Sequence, residues 1–328
     1  MWSESELTRV WYEDQPPTLG MRLCESIYRR ITVLRGRAYQ RGLLRTQQLP
    51  VPVIVVGNIT VGGTGKTPLV IALVEHLRAR GWNPGVVSRG HGGSQREPAL
   101  LGERPDPARF GDEPCLIRRA CDRVAVGRDR PAAARLLIQA GADIVIADDG
   151  LQHYALKRDL EICVVDGQRR LGNGRMLPAG PLREPAARLQ TVDWKVCNGD
   201  EAREDEVAMH LHGDQAVNLH DGQTRALASF AHQPVHAVAG IGNPRRFFAS
   251  LRQLGLDVAG HPFPDHHVYQ PEDLDFGDAQ PILMTDKDAI KCAAIAPTSS
   301  WRVPVTAALP AEFVQELDKR LQDQLASE

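Results

Sequence analysis

Lys66 and Thr67 are the residues whose types and spacing speak most directly of chemistry. They close the stretch VPVIVVGNITVGGTGKTP, Val51 to Pro68. A lysine after a glycine-rich turn brings a mobile positive charge to the β- and γ-phosphates of a nucleotide. A threonine hydroxyl at the same place can ligate Mg²⁺. The backbone from Thr60 through Val61, Gly62, Gly63, Thr64 and Gly65 would turn its N–H groups inward on phosphate oxygens. The pattern GxxxxGK[ST] asks for glycine where this chain has Thr60. A dinucleotide site fits less well, because GxGxxG is absent.

Carboxylates follow downstream at two places. Asp112 and Glu113 lie in FGDEP. One of two such acids beside a phosphate site can hold a metal while the other takes a proton from an alcohol. Asp112 as a plain helix cap is the simpler alternative. Asp148 and Asp149 end the apolar run IVIADD, and a carboxylate there reaches the metal from a neighbouring strand. Adjacent residues point to different sides, so one of the two faces the metal better. Arg89 and His91 sit in SRGHGG. The long loop from Gly167 to Pro185 carries Arg169, Arg170, Arg175 and Arg183. Any of these arginines suits an anionic phosphoryl group, and a solvated loop residue is the plain reading of each. Asp265, His266 and His267 form a further polar group without the usual metal spacings.

The elements that must position these groups read as α/β. Val51 to Val56 is short, β-branched and apolar, a buried parallel strand. Leu69 to Arg80 has helical periodicity, so strand, glycine loop and helix follow in the order a phosphate loop requires. Further strands are expected at Gly85–Val87, Arg123–Val126, Ile144–Asp148, Ile162–Asp166 and Trp194–Cys197. Residues 199–233 read as a polar linker with a small hairpin. Val235 to Ala239 starts a second, smaller unit, with strands near Val258 and at Ile282–Thr285.

The chain has 328 residues and a formal net charge of −2, so no global field recruits nucleic acid. Cys24, Cys115, Cys121, Cys163, Cys197 and Cys292 form no CxxC pair and read as reduced thiols. The acidic, polar N-terminus is not a secretory signal, and no apolar run is long enough to span a bilayer. Leu23, Ile27, Ile31, Leu34 and Ala38 share one face of a helix, with Arg22, Arg29, Arg30 and Arg37 around it. Such a helix either packs on its own core or lies on an anionic membrane.

Seven pieces occur in one order: VPVIVVGNITVGGTGKTP, SRGHGG, FGDEP, ADDGLQHY, LPAGPLREP, FPDHHVY and TDKDAIK. Together they resemble the tetraacyldisaccharide 4′-kinase family, the lipid A 4′-kinases of Gram-negative bacteria, over about residues 15 to 310. Related loops in that family lack the first glycine, which accounts for Thr60. The family's last segment usually has Glu where this chain has Asp286.

The resemblance implies ATP- and Mg²⁺-dependent phosphorylation of the 4′-hydroxyl of a tetraacylated glucosamine disaccharide 1-phosphate. It implies a phosphate-loop parallel sheet with helices on both faces and a smaller C-terminal α/β domain joined by a β-ribbon. The corresponding segments are 1–48 (membrane-associating helix), 49–198 (kinase core), 199–233 (linker) and 234–328 (C-terminal domain). It implies a peripheral enzyme on the cytoplasmic face of the inner membrane, with a lipid partner and no obligate protein partner. By the same resemblance Asp112 and His266 are the catalytic pair, while Glu113, Asp148 and Asp149 serve metal and nucleotide. Gln152 and Arg183 match further active-site positions. The rival class is a phosphate-loop ATPase or switch acting on a protein or membrane partner. The dimeric ATPases of that class carry an extra lysine where this chain has Val61.

Overall fold

The computed structural model describes residues 2–199 and 201–326. Among these residues the chain forms two sheets in succession. The strands of the first are β1 (Val53–Gly57), β2 (Pro84–Ser88), β3 (Ala99–Leu100), β4 (Val124–Val126), β5 (Ile144–Asp148), β6 (Leu160–Asp166), β7 (Trp194–Asn198) and β8 (Val207–His212). The second sheet takes β9 (Gln215–Asn218), β10 (Thr224–Ala226), β11 (Pro234–Ala239), β12 (Asp257–Pro262), β13 (Ile282–Thr285) and β14 (Ser300–Val303). A last strand, β15 (Thr306–Ala308), returns to the first sheet. The helices are α1 (Glu4–Tyr12), α2 (Leu19–Gln40), α3 (Lys66–Ala79), α4 (Pro107–Phe110), α5 (Asp112–Ala120), α6 (Arg130–Gln139), α7 (Pro244–Gln253), α8 (Asp286–Cys292) and α9 (Ala311–Ala326).

The first sheet has the order β15-β8-β7-β6-β1-β5-β2-β4-β3, parallel from β8 to β4 and antiparallel at both edges. Strands buried on both faces must be apolar throughout, and β1 shows why. Ile54 and Val56 point to a core made with Leu69, Leu73 and Leu77 of α3 and Phe313, Leu317 and Leu321 of α9. Val53 and Val55 point to the opposite core, made with Ala133, Ala134 and Leu137 of α6. Helices therefore cover both faces, and β1 lies inside the sheet between β5 and β6.

The second sheet has the order β10-β9-β14-β13-β11-β12 and its own apolar clusters around Phe230, Leu251, Leu283 and Met284. The expected linker is more integrated than its polarity suggests. Strand β8 pairs in parallel with β7, and only β9 and β10 form the small hairpin. The chain crosses between sheets twice, at Gly213–Asp214 and at Pro304–Val305. These crossings touch: a Cβ on Gly213 would meet the Pro304 carbonyl oxygen at 2.7 Å. Met209 and Ala307 are buried in the first core, which is why residues near both crossings belong to it. None of the described helices is long and apolar enough to cross a membrane.

Candidate active site

The turn from Thr60 to Gly65 links the buried strand β1 to the N-terminus of α3. Thr60 bridges Leu182 in antiparallel fashion, and the Val61 amide donates to the Pro181 carbonyl at 2.9 Å. Position 60 is therefore extended backbone held by a neighbouring segment, and a glycine is not needed there. Gly65 is different. Its φ of 93° is left-handed, and a Cβ would lie 2.3 Å from the Asn198 side-chain nitrogen. Asn198, at the end of β7, donates to the Thr64 carbonyl at 3.0 Å, while Asn58 donates to the Thr64 hydroxyl at 3.2 Å. The loop is thus shaped before any phosphate arrives.

The acids converge beside it because β5 is the immediate neighbour of β1. Lys66 lies 3.4 Å from Asp149, and Arg183 reaches both oxygens of Asp149 at 3.0 and 2.9 Å. Burial opposes ionisation of Asp149, but Lys66, Arg183 and Arg130 outweigh it and hold its carboxyl below the ordinary range. Asp148 is fully buried. One of its oxygens accepts from Ser88 at 3.0 Å, and the other has no hydrogen-bond partner. Burial first, then the charges of Glu113 and Asp149, push its carboxyl up to about 7. A buried carboxylate with an orphaned oxygen, next to the Lys66–Thr67 turn, suits a divalent cation, which would supply the missing positive charge. The two aspartates thus differ in environment: Asp149 is paired with cations and Asp148 is not.

The second carboxylate group comes from α5, whose first residues are Asp112 and Glu113. Across the cleft, the loop after β12 presents His266, whose Nδ1 is 3.2 Å from an Asp112 carboxylate oxygen. His266 sits at φ 61°, an uncommon conformation for a residue with a side chain, and its amide donates to Asp265 at 3.1 Å. His91 adjoins it, ring centroids 4.9 Å apart. Burial, then the nearby His266, lower the His91 pKa. Three residues fall outside the sequence-based site. Lys287 contacts both Glu113 (3.4 Å) and Asp265 (3.0 Å). Asn198 and Arg246 join at 2.8 Å between the halves. Only the run TDKDAIK signalled Lys287, and nothing in spacing signalled the other two.

The arginines of the 167–185 loop divide. Arg183 reaches Asp149, whereas Arg170 pairs with Glu206 and Arg175 with Glu25. Arg169 donates to the Gly242 carbonyl. Gln152 lies at the edge of the site, donating to the Asn58 carbonyl at 3.0 Å and to Glu184 at 2.8 Å. His267 turns away to Asp273 at 2.9 Å, and the described residues contain no metal-ligating cluster of three or more His, Cys, Asp and Glu. A cavity of about 480 Å³ runs between the halves, lined by Gly63 to Pro68, Glu113, Asn198, Arg246, Phe247 and Lys287 among others.

A parallel sheet with a glycine loop, a lysine and threonine at the helix start, acids on the next strand and a carboxylate–histidine pair across a cleft defines the phosphate-loop phosphotransferases. The tetraacyldisaccharide-1-P 4′-kinase family profile matches residues 18–322. The tetraacyldisaccharide 4′-kinase of Stenotrophomonas maltophilia (strain R551-3) is 52% identical over 322 residues, covering 95% of each chain. That of Nitrosococcus oceani is 48% identical, covering 97% of this chain and 95% of its own. Among solved structures, LpxK from Aquifex aeolicus, described as an "apo" form in complex with ATP, superposes with a TM-score of 0.74 at 28% identity, over 91% of this chain and 96% of that one. The chain belongs to the tetraacyldisaccharide-1-P 4′-kinase family.

Proposed function

We propose that this chain transfers the γ-phosphoryl group of ATP to the 4′-hydroxyl of a tetraacyldisaccharide 1-phosphate, with Asp112 and His266 as its acid–base pair. The observation that carries the reading is the 3.2 Å contact between these two side chains, one from each half of the chain, beside the phosphate loop. A sugar hydroxyl is a weak nucleophile. Asp112 accepts its proton as the 4′-oxygen bonds to the γ-phosphorus and the bridge to the β-phosphate breaks, releasing ADP. His266 orients the carboxylate and shares the proton. The backbone from Thr60 to Gly65 holds the phosphates, and Lys66 and Arg183 face the negative charge on the transferring group. Releasing Asp149 is then part of binding, because Lys66 and Arg183 both rest on it beforehand. Thr67, Glu113 and above all Asp148 would hold Mg²⁺, with Asp149 beside them. When bound, Mg²⁺ neutralises charge on the phosphate oxygens.

The acceptor is a lipid, and α2 supports docking on a bilayer. Its inner face is anchored: Met21 is buried, Glu25 binds Arg175 and the Met176 amide, and the Tyr28 hydroxyl donates to the Arg183 carbonyl. Its outer face is apolar, with Leu19, Leu23, Ile27, Ile31 and Leu34 between 51% and 83% exposed. A helix with its greasy face outward and arginines alongside suits the surface of an anionic membrane. The same helix touches the loop that bears Arg183, so the docking surface adjoins the site. The proposed division into 1–48, 49–198, 199–233 and 234–328 follows these roles, with β8, β15 and α9 joining the kinase core.

The test is acceptor dependence. With Mg²⁺–ATP, ADP release should rise at least about tenfold when the disaccharide 1-phosphate is added in detergent, since closing the cleft on an acceptor limits hydrolysis. Release unaffected by acceptor would favour the ATPase class instead.

A further inference from the structure

Three carboxylates meet where the two halves of the molecule face each other. Asp112 and Glu113 begin α5, and Asp265 precedes His266 in the loop after β12. Like charges so placed repel, and repulsion here would part His266 from Asp112. One cation stands between them. Lys287 is only 14% exposed and lies 3.4 Å from Glu113 and 3.0 Å from Asp265. It is thus bonded to the neighbour of each member of the Asp112–His266 pair, one from each half of the chain.

The local sequence makes this placement costly. Thr285 caps α8, its hydroxyl accepting from the Asp288 amide at 3.2 Å. Lys287 is therefore in the first turn of the helix, where the dipole disfavours a positive charge. A residue set against local preference marks a place where something else decides. The stem leaves α8 beside Asp286, which is itself tied to Arg302 at 2.8 Å and to Arg119 of α5 at 3.7 Å. The ammonium is delivered from a fixed base.

We propose that Lys287 is a positioning residue for phosphoryl transfer: by tying Glu113 to Asp265 it sets the distance and register of the Asp112–His266 pair across the cleft. The proposal rests on the kinase reading above. Lys287 takes no proton and needs no contact with the sugar. It holds together two groups that act only when close, so its loss should weaken the chemical step more than nucleotide capture, which belongs to the turn from Thr60 to Thr67.

The experiment compares full-length wild type with Lys287→Met and with Lys287→Gln, which keeps a polar head without the charge, and with Lys287→Arg as the conservative control. Circular dichroism establishes that each is folded. In both uncharged variants kcat should fall about tenfold or more while KM for ATP stays within about twofold, and Lys287→Arg should recover most of kcat. Backbone hydrogen exchange, measured without substrates, should quicken at the His266 amide and stay unchanged at the buried strand β1. Wild-type kcat in either folded uncharged variant, kcat and KM worsening in equal proportion, or unaltered exchange at His266 would overturn the proposal. A wild-type protein that phosphorylates no disaccharide would overturn the kinase reading, and the exchange measurement would still decide whether Lys287 holds the pair.

Discussion

Burial sets Asp148 apart from the other carboxyls of the site. Its ordinary carboxyl pKa would be 3.8, and in the fold it is pushed up to about 7. Below about pH 4 the group is neutral whether the chain is folded or not, and nothing is lost. Between about pH 4 and 7 the unfolded chain ionises while the folded one resists, so stability falls as pH rises through that window, and the cost persists above it. In metal-free buffer at pH 8, Asp148→Asn should therefore be more stable than wild type to urea, by on the order of a few kcal/mol. The difference should vanish by pH 4, and Mg²⁺ should stabilise the wild type but not the variant. Equal urea midpoints at pH 8 would mean that Asp148 is already satisfied. Asp112 and His266 call for a different test. Groups that work as one unit are strongly non-additive. Asp112→Ala with His266→Ala should cost about as much kcat as the worse single change, and fully multiplied losses would separate the two roles.

At the level of elements, α2 and the loop that follows β6 account for most of what periodicity left open. Residues 23, 27, 31 and 34 lie on one face by arithmetic alone, but a 3.6-residue period is the same for a core stripe and for a membrane stripe. The orientation is settled by the opposite face, where Met21 is buried against Val10 and Ala179 and Glu25 grips Arg175. Ala179 and Arg175 lie some 150 residues away in sequence, out of reach of any local pattern. The arginine-rich loop was legible as a loop, and its four arginines looked alike. Only pairing of residues 181–183 with residues 59–61 selects Arg183 for the site. Replacing Arg22, Arg29, Arg30 and Arg37 with glutamine should weaken binding to anionic vesicles, each basic group near the surface contributing roughly 1 kcal/mol. The reaction should slow more on bilayer-embedded acceptor than on detergent-dispersed acceptor. Unchanged vesicle binding, measured by co-sedimentation, would place docking elsewhere.

At the scale of the molecule, two sheets joined by two touching crossings meet at the phosphate loop itself. A Cβ on Gly242 would come within 2.3 Å of the Gly63 amide nitrogen, so the turn after β11 lies directly on the glycine loop. In the run GIGN, Gly240 to Asn243, the glycine at 242 permits close approach of two backbones. The first sheet was legible because its strands are short apolar runs separated by marked turns. The return of β15 and α9 was not, because three-residue strands carry too little pattern to assign a sheet. The proposed arrangement draws on both halves: Asp112, Glu113 and Asp148 from one, His266 and Lys287 from the other. The claim that this cleft joins ATP to a lipid sugar is tested most directly by following the phosphorus. The protein is incubated with Mg²⁺, γ-labelled ATP and tetraacyldisaccharide 1-phosphate, and the product is located by mass and by phosphorus NMR. The account predicts one labelled phosphoryl per disaccharide, on the 4′-oxygen, and none with Lys66→Ala. ATP consumed with no label in the lipid, or label on any other oxygen, would contradict it.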